Sequence, residues 1–220
     1  MGDTRGLIDR LVSETRPVHR LRHPLVRTLL WFGMALGVVG LLGIEHGLRP
    51  DFAAQMGKIS FQLGIYASLL TGVLAACGCL LASLPDRSRA WLLLPAPSLV
   101  VWVSTVSYGC LTDWVEFDSG TVQLGEALSC FATLVLVSLP VSGLMFAMLR
   151  HAARLRPTLV TLTAGLAVAS ITSTAMALFH ALDATIMILV WNLGMAAAIV
   201  ALEGLFGRSL LAWFARSPTV

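Results

Sequence analysis

Charged residues are scarce in this sequence. Asp, Glu, Lys and Arg make up 12% of its 220 residues, against roughly 25% in an average soluble domain. The remainder is strongly apolar, at 57% of the chain and a mean hydropathy of +0.83. The length alone would suit one soluble domain, but this shortage of charge excludes it. We expect a protein embedded in a lipid bilayer.

Motifs of the common enzyme classes are also missing. The sequence has no His-Glu-x-x-His metalloprotease motif, no Gly-x-Ser-x-Gly nucleophile elbow and no phosphate-binding Walker loop. His46, His180 and Asp183 can gather at one surface, but nothing in their spacing demands a metal. We therefore predict that the protein is not an enzyme and holds no cofactor.

Six apolar runs separate the few charges, each about as long as a helix that crosses a bilayer. They are about Thr28–Gly47, Ser60–Leu84, Ala90–Cys110, Ser129–Leu149, Thr158–Phe179 and Thr185–Phe206. The first run begins too late and is too long for a cleaved secretory signal. The predicted fold class is all-α: a polytopic membrane protein with six transmembrane helices and a short amphipathic N-terminal segment.

Basic residues are distributed unevenly between the two faces that six spans create. Of the 15 Lys and Arg, only Arg49 and Lys58 fall on the face opposite to both termini. Because cytoplasmic loops are enriched in basic residues, we expect both termini in the cytoplasm. The chain then divides into a cytoplasmic N-terminal segment (1–26), a six-helix membrane domain (27–207) and a cytoplasmic tail (208–220).

Residues 3–16 have the pattern of a short amphipathic helix that starts at Thr4 and ends before Pro17. Its apolar stripe consists of Leu7, Ile8, Leu11 and Val12. Two interpretations stay open from the residues alone. The helix rests on the anionic inner surface of the membrane, or it fits the groove of a cytoplasmic partner.

Two cysteines flank the longest polar stretch between apolar runs. Cys110 lies where the chain leaves the third run, and Cys130 lies where it enters the fourth. In an oxidising compartment such thiols form a disulfide or bind a soft metal, so this loop is a candidate sensor. The alternative is two unpaired small residues at helix ends. Cys77 and Cys79, in contrast, lie inside the second run without further zinc ligands, and we expect them to be buried as small apolar residues.

Small, hydroxyl and proline residues predict how the spans pack. Gly33-x-x-x-Gly37 and Gly43-x-x-x-Gly47 have the spacing that lets helices approach closely. Ser and Thr in the fifth run can bond to their own helix or to a neighbour. Prolines are expected to delay or kink two helices, at Pro95 and Pro97 in the third run and at Pro140 in the fourth. Asn192 is the one amide near mid-membrane, and it alone hints at an alternative function as a small transporter or channel subunit.

A set of short segments resembles one known family. The segments are Leu7–Leu11, Arg16–Leu21, Gly47–Asp51, Trp91–Pro95, Tyr108–Cys110, Ser129–Cys130 and Leu189–Trp191. In this order they resemble the NrsF family of bacterial inner-membrane anti-sigma factors, over nearly the whole chain. The resemblance implies a protein of the inner membrane that holds an ECF-type sigma factor away from RNA polymerase and makes no direct contact with nucleic acid.

The resemblance also implies which residues act. The sigma-contacting segment would be about Leu7–Leu21, which favours the partner-binding interpretation of the N-terminal helix. The contact residues would be Leu7, Ile8, Leu11, Val12, Arg16, Arg20 and Leu21. Release under oxidant or heavy-metal stress would involve Cys130, which matches a family cysteine. The second family cysteine usually follows a histidine in the last outer turn, where this sequence has Ala181 after His180, so Cys110 or His180 is the candidate substitute.

Overall fold

The computed structural model describes residues 23–84, 87–113, 124–149 and 157–179, with residues 6, 13, 194, 197, 198, 200–202 and 204–207. All regular elements in these ranges are helices, as predicted. They are α1 (Pro24–His46), α2 (Phe52–Met56), α3 (Ile59–Ala82), a 3-10 helix (Arg89–Leu93), α4 (Ala96–Asp113), α5 (Leu124–Leu149) and α6 (Pro157–Phe179).

Five helical stretches are long and apolar enough to cross a membrane, and they coincide with the first five predicted runs. They are Pro24–Glu45, Ile59–Ala82, Arg89–Ser107, Phe131–Leu149 and Thr158–Phe179. The sixth predicted run lies mostly outside the described residues, and the sixth span stays a prediction. The amphipathic helix over residues 3–16 also remains a prediction. Only Gly6 and Ser13 of this segment are described, and both have helical backbone.

Glycine and proline set the boundaries of several helices. α1 begins at Pro24, in the first turn, where a missing backbone N–H costs nothing. It ends at Gly47, whose φ of 73° is a conformation that glycine adopts without strain. The delay predicted from Pro95 and Pro97 is confirmed, because a 3-10 helix ends at Leu93 and the α-helix begins only at Ala96.

Helices α3 and α6 form the centre of the bundle. They pack mainly on each other; α1 contacts α3 and α5, and α5 contacts α6, so these four helices form a closed ring. α4 and the 3-10 helix lie against α3. The largest fully buried side chains include Trp31, Leu80, Met145, Leu149 and Ile171. Since lipid is as apolar as these side chains, close packing and interhelical hydrogen bonds hold such a bundle together.

The bundle has two ends that matter for function. We call the end where α1 begins and α3 and α5 finish the arm end, because the N-terminal segment joins it there. The opposite end, where α1, α4 and α6 finish and α5 begins, is the loop end. Cys110 and Cys130 belong to the loop end by their positions in α4 and α5.

Close helix contacts occur at some glycines that the spacing pattern singles out and at others that it does not. A β-carbon at Gly43 would lie 3.3 Å from the Phe179 ring, whereas at Gly33 or Gly37 it would meet no described atom within 4 Å. The tightest approach to backbone among the described glycines is at Gly78, where a β-carbon would lie 2.5 Å from the carbonyl oxygen of Trp91. Gly78 therefore lets the 3-10 helix return against α3.

Replacing Gly78 by alanine is expected to destabilise the bundle, because the backbone of the 3-10 helix must move away from α3. Overpacking of this kind costs about 1–3 kcal/mol, which lowers the Tm of a chain this long by roughly 2–12 °C. Gly33→Ala is the matched control, since its added methyl meets no described atom and alanine favours a helix. The measurement is the Tm of both variants by thermal unfolding in detergent. Equal Tm values for Gly78→Ala and Gly33→Ala would contradict the close approach of the Trp91 backbone to Gly78.

Candidate functional site

Most of the predicted partner-binding and sensing residues lie outside the described part of the chain. These are Leu7, Ile8, Leu11, Val12, Arg16, Arg20, Leu21 and His180. Cys110 and Cys130 have described helical backbones, in the last turns of α4 and the first turns of α5, but their side chains are not described. α4 packs on α3, and α5 packs on α1 and α6. Pairing of the two thiols stays a prediction.

The described residues closest to the N-terminal segment form a polar anchor, which we call the arm root (residues 23–31). The His23 side chain accepts a hydrogen bond from the backbone N–H of Leu25 at 3.4 Å, which caps the first turn of α1. The hydroxyl of Thr28 donates to the carbonyl oxygen of Pro24 at 3.0 Å.

Arg27 is the central residue of the arm root. It is only 7% exposed, and its Nη2 donates a hydrogen bond to the carbonyl oxygen of Met148 in the last turn of α5. The last carbonyls of an α-helix have no donor within the helix, and the negative end of the helix dipole attracts a cation. Arg27 therefore caps α5 from a neighbouring helix.

Trp31 makes a second bond to the same helix, one turn further along α1. Its side chain is fully buried, and its indole Nε1 donates to the carbonyl oxygen of Val141 at 3.3 Å. A buried indole needs such an acceptor because an unpaired N–H is costly in an apolar interior. Two hydrogen bonds thus join α1 to the arm-end half of α5.

The cysteines of α3 complete the packing around the arm root. Cys77 and Cys79 are both buried, with free thiols, as predicted. The Cys79 thiol donates to the carbonyl oxygen of Ala76 at 3.2 Å, and its sulfur lies 3.9 Å from the Met145 sulfur of α5. Both cysteines fill space between helices and are closed to water-borne reagents.

The loop end of α1 has an anchor of its own, centred on Arg49. Arg49 is 6% exposed, and its guanidinium donates two hydrogen bonds to the Asp51 carboxylate, at 2.5 and 2.7 Å. Its charge also lies 5.7 Å from the centre of the Phe61 ring. The backbone N–H of Arg49 donates to the carbonyl oxygen of Leu178 at 3.0 Å, which ties the turn after α1 to the last turn of α6.

The Arg49–Asp51 pair changes the pKa of the Asp51 carboxyl group. The hydrogen bonds from Arg49, then the one from Gln55, hold the pKa of the Asp51 carboxyl well below its ordinary value. Arg49 is one of the two basic residues predicted on the face opposite to the termini. Within the structure its charge is paired with the Asp51 carboxylate.

Hydroxyl pairs hold the centre of the bundle, and both predicted behaviours of Ser and Thr are confirmed. Ser68 of α3 and Thr174 of α6 lie 2.7 Å apart, and Thr71 of α3 donates to Ser98 of α4 at 3.0 Å. Other hydroxyls bond back to their own helix, as Thr172 does to Val168 at 2.9 Å. α3 is thereby bonded to two neighbours within the apolar interior.

Metal ligands are not gathered within the described part of the chain: no group of three or more His, Cys, Asp or Glu there could hold an ion. This observation does not cover the predicted redox or metal candidates Cys110, Cys130 and His180, because their side chains lie outside the described part.

The fold places the protein in the class of helical bundles compatible with a membrane. A short segment rich in arginine precedes the first helix of this bundle. The chain matches the family model of NrsF, negative regulator of sigma F, over residues 11–213. This match covers most of the chain, and the protein belongs to the NrsF family. No curated protein and no solved structure matches the chain. The family implies a regulatory protein with a sigma factor as partner.

Arg27 and Trp31 are the residues that sequence reasoning missed. Arg27 is the first residue of the predicted membrane domain, and it directly precedes the first apolar run. Two polar donors four residues apart lie on one face of a helix, and that spacing is the signal that could have identified them. Their acceptors are backbone carbonyls in a helix more than a hundred residues away, which no local pattern reveals.

Proposed function

We propose that the protein is an anti-sigma factor of the inner membrane that binds an ECF-type sigma factor through its cytoplasmic N-terminal segment. The observation that carries this is the family match, which begins at residue 11 and includes part of that segment as well as the membrane helices. A bound sigma factor cannot reach RNA polymerase, so the protein would lower transcription without touching DNA.

The chemistry of the N-terminal segment supports a protein partner. Leu7, Ile8, Leu11 and Val12 form one apolar stripe, which is the pattern of a helix that lies in an apolar groove. Arg16 and Arg20 follow it, and arginine is well suited to pair with acidic side chains at the rim of an interface. The arm root bonds the start of α1 to α5, so the N-terminal segment begins at a fixed place on the bundle.

Release of the sigma factor would begin at the loop end. Cys110 and Cys130 belong to helices that begin or end there. An oxidant that accepts two electrons would join the thiols in a disulfide, with loss of their two protons. A soft metal ion would instead bind Cys130 with Cys110 or His180. Either event favours one packing of the helices over another, and the segment would lose affinity for sigma in that packing.

Co-purification of the full-length protein with its sigma factor tests the proposal. The chain is tagged, co-expressed with the ECF-type sigma factor encoded nearest to its gene, and purified in detergent. We expect the wild type to retain the sigma factor. A Leu7→Asp, Leu11→Asp variant should retain at least about tenfold less, since losing two apolar anchors removes well over 1.4 kcal/mol of binding.

Ser13→Asp is the matched control for the stripe variant. Ser13 is exposed and lies roughly opposite the stripe on a helix, so a charge there should leave binding within about twofold of the wild type. Failure of the wild type to retain any sigma factor would contradict the proposed function. Equal loss in both variants would contradict the role of the stripe.

A further inference from the structure

The two hydrogen bonds of the arm root reach the same part of α5. Met148 and Val141 both lie after Pro140, on the arm-end side of this helix. Cys130 lies before Pro140, on the loop-end side. Arg27 and Trp31 therefore bond α1 to one half of α5, while the candidate sensing residue belongs to the other half.

Pro140 lies inside α5, between its two halves. Proline has no backbone N–H, so the carbonyl of Leu136 lacks its helical donor, and the ring crowds the preceding turn. Helix bends concentrate at such positions. The half after Pro140 is bonded to α1 at two points.

We propose that Arg27 and Trp31 are positioning residues that set the direction in which the N-terminal segment leaves the bundle, by fastening α1 to the half of α5 after Pro140. The segment joins α1 immediately before this fastening, so a shift of that half of α5 is passed to the segment. For sigma binding this rests on the proposed function; the effect on the segment itself does not.

The burial of these groups makes the fastening strong. The Arg27 guanidinium is enclosed at the negative end of α5, where a cation is favoured. Removing it would leave the Met148 carbonyl without that donor in a protected site. Removing only the indole N–H of Trp31 would remove the second hydrogen bond between α1 and α5. Neither residue belongs to the predicted sigma-contacting set, so an effect on the segment must pass through the helices.

The test measures how firmly the segment is held in the full-length protein in detergent. An N-terminal tag is released when trypsin cleaves at the arginines of the segment, such as Arg16 or Arg20. The variants are Arg27→Ala and Trp31→Phe; the second removes one hydrogen bond and keeps an aromatic ring. Tag release should be about 2- to 12-fold faster than in the wild type for Trp31→Phe, the equilibrium effect of one net hydrogen bond. For Arg27→Ala it should be at least about 12-fold faster, because the lost bond has a charged donor.

Matched controls remove the same chemical groups elsewhere. Arg89→Ala and Trp91→Phe change an exposed arginine and a Trp that is 38% exposed, both in the 3-10 helix, and should leave tag release unchanged. Cleavage after Arg87 provides an internal reference within each molecule. A variant that speeds both cleavages equally is merely unstable, and that outcome in both arm-root variants would overturn the proposal.

Sigma retention separates this inference from the proposed function. If the wild type retains sigma, Arg27→Ala and Trp31→Phe should retain less while Arg27→Lys, which keeps the charge and a donor, recovers part of the loss. If the wild type retains none, the proposed function fails and tag release still decides the role of Arg27 and Trp31. Unchanged tag release in Arg27→Ala and Trp31→Phe would overturn the positioning role in either case.

Discussion

A Cys110→Ser, Cys130→Ser variant is expected to keep its sigma factor bound when cells meet an oxidant or a heavy metal. Serine has nearly the shape of cysteine but forms no disulfide and binds soft metals poorly. Couplings between two sites in a protein typically change affinity by about 5- to 150-fold, so the induced transcription of a sigma-dependent reporter should fall by a factor in that range, to near its uninduced level.

The other two cysteines give a matched control in the same chain. Cys77 and Cys79 are buried beside the arm root, so a Cys77→Ala, Cys79→Ala variant should respond to the same reagents. Labelling of intact protein with a charged maleimide should modify the loop-end thiols and leave the buried ones unmodified. Full induction in the Cys110→Ser, Cys130→Ser variant would contradict the sensing role of this pair.

Replacing Asp51 by asparagine is expected to lower the stability of the folded protein. The Arg49 guanidinium is buried beside the Phe61 ring and would lose the carboxylate that accepts two of its hydrogen bonds. A buried cation is costly when its partner is removed, although the 35% exposure of the Asp51 side chain limits the effect. Glu45→Gln, an exposed carboxylate at the same end of α1, is the control that should change the Tm little.

The contribution of Asp51 to the free energy of unfolding also depends on pH in a defined way. Its pKa is lowered in the folded protein by the bonds from Arg49 and Gln55. The stabilisation is therefore complete above the ordinary carboxyl pKa of about 3.9 and is lost as the pH falls from there toward the folded value. The Tm difference between wild type and Asp51→Asn, measured in detergent from pH 7 to pH 3, should be constant above about pH 5 and shrink below pH 4. A difference independent of pH would contradict the ion pair.

Local pattern predicted the helices well because bilayer thickness sets their length. Five of the six apolar runs coincide with helices that are long and apolar enough to cross a membrane, and Pro95 and Pro97 predicted the late start of α4. The burial of Cys77 and Cys79 followed from their place inside a run. These features depend on residues that are neighbours along the chain, and a single sequence contains that information directly.

The sites that depend on distant contacts were not predictable in the same way. Arg27 is one of six arginines in the first 27 residues, and the acceptor that distinguishes it lies on α5, 121 residues further along the chain. The need for glycine at position 78 depends on the return of the 3-10 helix. The pairing of Arg49 with Asp51, and the short helix α2 that follows, lie in what the apolar pattern presents only as a connecting loop.

Helix α1 is fastened at both ends to different neighbours, and this fixes how many residues it can contain. Arg27 meets α5 at one end, and Gly43 meets Phe179 of α6 at the other. Inserting one residue between these positions would turn one end by about 100° relative to the other, so both contacts could not survive together. Relatives of this protein should therefore vary in the length of their loops but keep the same number of residues between these two positions.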